Sequence, residues 1–272
     1  SGSLACETPG PKALLSVRPV LFELFGIKVH SYYALWTFAL CLAVVATRRR
    51  MTDQFLVKDD DARLIVASAF LGMLLGARTG FVMEMWRDYV AESVRLLRFW
   101  EGGLSAVPAF LGAGAAGMLA SKWRGVPVWI TAESAAIPAA LTVAVGRWGC
   151  FLNGCCYGAQ TRVPWGVVFP EDPGAVIRHP VQLYYAFGAL LIAAALMAAD
   201  RRRPAGRAFL WPLFMILYAL LRIFADPFRA EFGSSGLGMV RTGLFTVLVS
   251  GFLWLFLPGF HKLRRKKCRK GD

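Results

Sequence analysis

Stretches of about twenty apolar residues recur along this chain, and they restrict its fold more than any other feature of the sequence. A helix needs about 20 apolar residues to cross the hydrocarbon core of a bilayer. Hydrophobic residues make up 57% of the 272 residues, and the mean hydropathy is +0.51. The sequence therefore predicts an all-α polytopic membrane protein with about seven transmembrane helices, near residues 31–47, 63–84, 104–120, 126–146, 181–199, 208–225 and 240–258.

The formal net charge of +14 comes largely from short basic runs between the apolar stretches, at residues 46–50, 121–125, 200–207 and 261–270. Cytoplasmic loops of membrane proteins carry such an excess of lysine and arginine. Placing the runs in the cytoplasm predicts an external N-terminus and a cytoplasmic C-terminus, with the tail close to anionic membrane lipids. Nucleic acid is not a predicted partner, because the runs lack interleaved aromatic residues and a recognisable binding domain.

The same pattern predicts a single membrane domain with two terminal extensions. Residues 1–30 hold an apolar patch, VLFELFGIKV, that is too short to span and is expected to form an interfacial segment. Residues 31–258 form the seven-span domain, and residues 259–272 form a basic cytoplasmic tail. Within the domain, the outward segment 147–180 is rich in glycine, proline and aromatic residues, which predicts a small extracytoplasmic cap with short strands.

Several ionisable residues lie inside the predicted spans or directly at their ends, where they are costly and commonly mark function. They are Arg78, Glu133, Arg147, Arg222 and Asp226. Guanidinium groups match phosphate oxygens, and a low dielectric strengthens the attraction. We therefore expect Arg78, Arg147 and Arg222 to converge on the phosphate of a lipid headgroup. A structural ion pair is the alternative for each charge, since Arg222 and Asp226 are four residues apart on one helix face.

Two motifs add nucleophiles and a titratable ring to these charges. GRWGCFLNGCCYG, at residues 146–158, places Cys150, Cys155 and Cys156 near Arg147, where a thiolate would have a lowered pKa and be reactive. RHPVQLYYA, at residues 178–186, begins with His179, which is either a hydrogen-bond partner that holds the cap or an acid–base group. We predict no metal site, because three cysteines without a fourth ligand are a weak zinc pattern.

Six stretches in this order resemble the bacterial prolipoprotein diacylglyceryl transferases, and together they cover most of the chain. They are FGIKVHSYY, GARTGFVMEMW, FWEGGLS, GRWGCFLNGCCYG, RHPVQLYYA and LYALLRIFADPFR. The resemblance implies a multi-pass enzyme of the bacterial plasma membrane that needs no cofactor. Such an enzyme takes phosphatidylglycerol, moves its diacylglyceryl group onto the lipobox cysteine thiol of a prolipoprotein, and releases glycerol phosphate.

The resemblance also assigns roles to individual positions. Arg147 and Arg222 match the essential arginines of the family, and Asp226 stands where the family has glutamate. To the catalytic set we add Cys150, Cys155, Cys156 and His179. The substrate-binding positions are expected to be Tyr32, Arg78, Gly102, Gly103, Asn153, Gly158, Tyr218 and Asp226.

The chain departs from the family pattern at several polar positions of the motifs. Val107 occupies the place of a histidine often assigned as base, Cys150 replaces an asparagine, Cys155 replaces a glutamate, and Cys156 is an added thiol. The main prediction is a divergent transferase that uses a changed base, His179 or a cysteine, and a prolipoprotein or another thiol acceptor. One alternative is the same phospholipid-binding scaffold repurposed for thiol or redox chemistry on the three cysteines. Another is a non-enzymatic lipid-binding protein, which needs only the arginines.

Overall fold

The computed structural model describes a mostly helical chain. It covers residues 20–24, 27–87, 105–170, 172, 174, 176–202 and 209–230. The helices are α1 (Ser31–Phe55), α2 (Asp59–Glu84), α3 (Ala106–Trp123), α4 (Val128–Asn153), α5 (Val181–Arg202) and α6 (Leu210–Ala225), which continues into a 3₁₀ turn at Asp226–Phe228. The strands are β1 (Val20–Leu24), β2 (Ile27–His30), β3 (Val167–Val168) and β4 (Ile177–Arg178), paired antiparallel as β1–β2 and β3–β4.

Five of these helices are long and apolar enough to cross a membrane, which confirms the prediction of a helical polytopic membrane protein. They are α1, α2, α4, α5, and α6 with its 3₁₀ turn. Helix α3 coincides with the predicted third span but has only 18 residues. The predicted span at 240–258, the tail at 259–272 and residues 1–19 lie outside the described residues.

Two helices extend further than their apolar stretches. Helix α1 continues through the three arginines to Phe55, and α4 continues past residue 146 to Asn153. Arg147 and Cys150 therefore lie on a helix, and the cap that we predicted to begin at residue 147 is non-helical only from Gly154. Gly154 ends α4 with a φ of 75°, the left-handed conformation that glycine adopts without a steric penalty.

Helices α2 and α3 pack so closely that two facing glycines have no room for a side chain. A Cβ atom added to Gly72 would clash with the carbonyl oxygen of Gly112, and one added to Gly112 would clash with the carbonyl oxygen of Gly72. Small residues allow membrane helices to approach in this way. The glycine- and alanine-rich composition of the third predicted span thus serves helix packing, as the sequence indicated.

Ion pairs gather the described basic runs at one end of the helix bundle, which we call the basic end. They join the C-terminal end of α1 to the start of α2 and the end of α5, and the turn after α3 to the start of α2. The pairs are Arg48–Asp59 (2.7 Å), Arg50–Asp200 (2.9 Å) and Arg124–Asp61. Because the helices alternate in direction, the C-terminal ends of α4 and α6 and the start of α5 lie at the opposite end, which we call the site end.

The segment between α4 and α5 folds over the site end. Val167 of β3 and Phe169, which follows this strand, are buried against Phe151 of α4 and Leu183 of α5. A bridge between Gly158 and Arg229 and a hydrogen bond from Ala159 N–H to the Phe228 carbonyl attach it to the end of α6. These contacts join this segment, the predicted cap, to the ends of three helices.

Candidate active site

The candidate site is centred on Tyr185, in the second turn of α5. Its ring is 1% exposed. The guanidinium carbon of Arg147, from α4, lies 4.6 Å from the centre of this ring, and that of Arg222, from α6, lies 5.6 Å from it. Cations are attracted to the face of an aromatic ring at such distances. Three helices thus bring two arginines to one buried tyrosine, and we call Tyr185, Arg147, Arg222 and Asp226 the arginine cluster.

Asp226 joins this cluster from the 3₁₀ turn that follows α6. The Tyr185 hydroxyl donates a hydrogen bond to Asp226 Oδ1, and Arg222 Nε lies 3.0 Å from Asp226 Oδ2. The carboxylate is 2% exposed. The i,i+4 spacing of Arg222 and Asp226 places them on one helix face, as the sequence predicted.

The arginine cluster carries an excess of positive charge. Within the part of the chain that the structure describes, Tyr185 is contacted by two guanidinium groups, those of Arg147 and Arg222, and by one carboxylate, that of Asp226. A buried charge without a counter-charge is expensive. The cluster can therefore accept one further anionic group, and the planar donors of arginine suit an oxyanion such as phosphate.

Three thiols lie next to Arg147 along the chain. The sulfur atoms of Cys150, Cys155 and Cys156 are all within 4.8 Å of one another, and all three are free thiols. The pKa of Cys156 is lowered by hydrogen bonds from Cys150 and Cys155 and, next, by the positive charges of Arg147 and Arg229. The reactive thiolate that the sequence predicted beside Arg147 thus fits Cys156.

His179 holds the cap against the helices. Its Nδ1 lies 3.0 Å from the Tyr184 hydroxyl, which accepts a hydrogen bond of 2.8 Å from the Trp165 indole N–H, and its ring lies 5.1 Å from that of Phe228. Burial lowers the pKa of His179, so the ring is neutral at pH 7. A neutral Nδ1 that accepts a hydrogen bond from the Tyr184 hydroxyl fits the structural role, which was one of the two roles predicted for His179.

The predicted substrate-binding residues fall into different surroundings. Tyr32 in α1 lies near the three cysteines, Tyr218 in α6 lies near Arg147, and the Asn153 side chain contacts the Cys155 thiol. Gly158 is a packing position, since an added Cβ would clash with the Phe228 carbonyl and the Val181 side chain. Arg78 is buried in α2, which packs against α3 and α1, and its convergence with the other arginines stays a prediction.

Other predicted positions lie apart from the cluster. Gly102 and Gly103 lie outside the described residues. Val107, in the first turn of α3, is 61% exposed. Glu133 is fully buried in α4 and accepts backbone N–H groups from Phe209 (3.0 Å), Leu210 (2.9 Å) and Trp211 (3.2 Å), so it caps the start of α6. These contacts give Glu133 a structural role as a helix cap, which differs from the ion pair that the sequence analysis offered as the alternative.

The sequence interpretation missed three residues at the site. Tyr185 was not predicted as a site residue, although a tyrosine inside an apolar span needs a hydrogen-bond partner and could have been paired with Asp226. Gln182 is fully buried and donates to the Cys155 carbonyl at 2.7 Å. Arg229 contributes positive charge to Cys156 and was hidden at the end of the motif that contains Arg222.

Comparison with known proteins gives a consistent match. A family model described as prolipoprotein diacylglyceryl transferase matches residues 19–257. A Geobacter sulfurreducens protein is 32% identical over 81% of this chain and 85% of its own length, and a Coxiella burnetii protein is 32% identical over 88% and 95%. A Synechococcus elongatus protein is 28% identical over 93% and 90%. All three relatives are named phosphatidylglycerol–prolipoprotein diacylglyceryl transferase.

Proposed function

Because this chain belongs to the prolipoprotein diacylglyceryl transferase family, we propose that it transfers the diacylglyceryl group of phosphatidylglycerol to the cysteine thiol of a prolipoprotein. The relatives carry this activity in their names, and the match covers most of both chains. The comparisons give no support to the two alternatives, a thiol redox enzyme on the same scaffold and a non-enzymatic lipid-binding protein.

The observation that assigns this function to particular residues is that Arg147 and Arg222, from two different helices, face the same buried tyrosine ring. The donor lipid presents a single negative phosphate at the depth of a helix end. Two guanidinium groups against one carboxylate leave a positive charge for that phosphate to neutralise. In a site of low dielectric this attraction is far stronger than in water.

The reaction places its largest charge change at this phosphate. The acceptor sulfur forms a bond to the terminal glyceryl carbon of the diacylglyceryl group, and the bond from that carbon to the phosphate oxygen breaks. The thiol proton leaves the acceptor, and the departing glycerol phosphate changes from a diester with one negative charge to a monoester with two. Arg147 and Arg222 would hold the second charge as it develops, which is where preorganised donors accelerate a reaction.

His179 and Cys156 are the two candidates for the group that accepts the thiol proton, since Val107, at the position of the family's histidine, cannot accept a proton. Removing a general base typically costs about 10²- to 10⁴-fold in rate. His179→Gln keeps an acceptor for the Tyr184 hydroxyl but no group that titrates near neutral pH, and Cys156→Ser removes the thiolate. A loss of more than about a hundredfold in one variant identifies the acceptor. Near-parental rates in both variants would exclude both residues.

The proposal includes the arrangement in the membrane. Seven spans between residues 31 and 258 would place the basic end in the cytoplasm of a bacterial cell and the site end, with its cap, at the outer leaflet of the plasma membrane. Residues 1–30 would lie at the outer interface, and residues 259–272 would form the cytoplasmic tail. A C-terminal reporter that is active only in the cytoplasm tests this orientation, and reporter activity on the outside would contradict it.

The test of function replaces the two arginines in the purified full-length protein. Arg147→Ala and Arg222→Ala are expected to lower transfer from phosphatidylglycerol to a lipobox peptide by about 10²- to 10³-fold each, while the lysine variants retain charge and lose less. Arg201→Ala, exposed at the basic end, is the matched control. Products are identified by mass spectrometry, and folding is checked by thermal unfolding. Full turnover by either alanine variant would contradict the phosphate role.

A further inference from the structure

The three thiols of Cys150, Cys155 and Cys156, which we call the thiol cluster, are not needed to hold the phosphate. Their sulfur atoms lie within 4.8 Å of one another, and each is a free thiol. Cys150 is buried in α4, Cys155 is half-buried and Cys156 is exposed. Three converging thiols with access from one side form a different kind of site from the arginine cluster.

The backbone holds the thiol cluster together. After α4 ends, Gly154 at φ 75° turns the chain back, the Cys155 N–H donates to the Cys150 carbonyl at 3.1 Å, and Cys156 itself adopts a positive φ of 61°. The Gln182 side chain donates to the Cys155 carbonyl at 2.7 Å and ties this turn to α5. Non-glycine residues rarely occupy the left-handed region unless the surroundings enforce it. The sulfurs are therefore brought together by a fixed turn.

We propose that Cys150, Cys155 and Cys156 bind one soft d¹⁰ cation, such as cadmium, zinc or copper(I), through their three sulfur atoms. Metal–sulfur bonds of about 2.3 Å place three ligating sulfurs roughly 4 Å apart, so the sulfurs need to approach one another by less than about 1 Å. Thiolate ligands select soft cations over magnesium, calcium and manganese. Binding forms three metal–sulfur bonds, and each ligand that is still protonated releases its thiol proton to solvent.

The charges around the thiol cluster suit the complex that would form. A divalent cation with three thiolates carries one net negative charge, and a monovalent cation carries two. Arg147 lies one helical turn before Cys150, and both Arg147 and Arg229 act electrostatically on Cys156. A negative complex near two arginines is stabilised, whereas a hydrated hard cation at the same place would be repelled.

The experiment measures cadmium binding to the full-length protein under a phosphine reductant. The background variant carries Cys6→Ser, Cys41→Ser and Cys268→Ser, so only the thiol cluster remains. We expect one cadmium ion per chain, with the ultraviolet sulfur-to-cadmium charge-transfer band of three thiolates. Adding Cys156→Ser, at an exposed position, should weaken binding by at least about tenfold. Cys41→Ser alone, at an exposed position of α1, is the matched control and should leave cadmium binding the same as in the parent protein.

Two results would overturn the proposal. One is a background variant that shows no charge-transfer band with cadmium. The other is a Cys156→Ser variant that binds as tightly as the background, because the third sulfur would then not be a ligand. Thermal unfolding of each variant without metal shows whether a loss of binding reflects a loss of fold.

Metal binding to the thiol cluster should also weaken binding of the lipid phosphate, a consequence that rests on the proposed function. A negative complex competes with the lipid phosphate for Arg147, so cadmium should lower the rate of diacylglyceryl transfer in the background variant. The variant with Cys150→Ser and Cys155→Ser, which keeps the candidate proton acceptor Cys156, should lose this inhibition. Cadmium binding with an unchanged transfer rate would refute the coupling and leave the metal site standing, and a failure of transfer without metal would count against the proposed function alone.

Discussion

Replacing Tyr185 separates what its ring and its hydroxyl contribute to the site. Tyr185→Phe keeps the ring that both arginines face and deletes the hydroxyl that donates to Asp226. Tyr185→Leu removes the ring as well. The comparison is informative because the residue is 1% exposed, so neither variant can replace the lost contacts with water.

The structure sets the expected magnitudes. In the phenylalanine variant one buried carboxylate oxygen loses a donor, which costs about 1–3 kcal/mol of folding free energy, while both guanidinium groups keep their ring. In the leucine variant two cation–π contacts of about 0.5–2 kcal/mol each are lost. If those contacts position the arginines for the phosphate, a central value near 2 kcal/mol corresponds to a roughly thirtyfold slower transfer.

The assay is diacylglyceryl transfer from phosphatidylglycerol to a lipobox peptide, measured beside thermal unfolding in the same detergent. We expect Tyr185→Phe to retain most of the transfer rate despite a lower unfolding midpoint. Tyr185→Leu should lose the rate even at temperatures where it remains folded. A folded leucine variant with the parental rate would refute the inference that the ring positions Arg147 and Arg222.

Three further changes test how the site end is held together. Glu133→Ala leaves three backbone N–H groups at the start of α6 without their acceptor and should lower the unfolding free energy by about 3 kcal/mol or more. The loss should be smaller for Glu133→Gln. Equal stability of the parent and both variants would show that this helix cap is unimportant. Gly158→Ala forces a Cβ against the Phe228 carbonyl and should cost about 1–3 kcal/mol, whereas Gly114→Ala, where a Cβ has open space, is the control. The pKa of Asp172 is lowered by hydrogen bonds from Arg178, so the stabilisation is present above the ordinary aspartate pKa and disappears only as pH falls below about 4. Unfolding midpoints between pH 3 and pH 7 check this, and Asp172→Asn should remove that part of the pH dependence.

Hydropathy located the helices but not their ends. The apolar runs predicted that α1 ends at residue 47 and α4 at residue 146, because charges and glycines interrupt the runs there. Backbone hydrogen bonding continues regardless, to Phe55 and to Asn153. A helix end is set by local geometry such as the positive φ of Gly154, which hydropathy does not report.

The sequence indicated the charged residues of the site more reliably than the neutral ones. Arg147, Arg222 and Asp226 stand out because a charge inside an apolar stretch needs an explanation. Tyr185 has no such signal, since which of two adjacent tyrosines faces the bundle depends on how α5 is rotated against α4 and α6. Glu133 gave the same signal as the arginines, and only its three backbone contacts separate a helix cap from a functional charge.

The spacing of the cysteines was equally ambiguous. A Cys-x4-Cys-Cys pattern has no fourth ligand and does not predict a zinc site. The turn after α4 brings the three sulfurs within 4.8 Å, because Gly154 and Cys156 both adopt positive φ values. Such a turn depends on packing from α5, through Gln182, and this contact is invisible in the order of the residues.

The most direct test is an experimental structure of the full-length protein in a lipid bilayer that contains phosphatidylglycerol. We predict one lipid whose phosphate oxygens accept hydrogen bonds from the guanidinium groups of both Arg147 and Arg222, beside the ring of Tyr185. A phosphatidylglycerol headgroup bound elsewhere, with these two arginines turned towards separate partners, would contradict it.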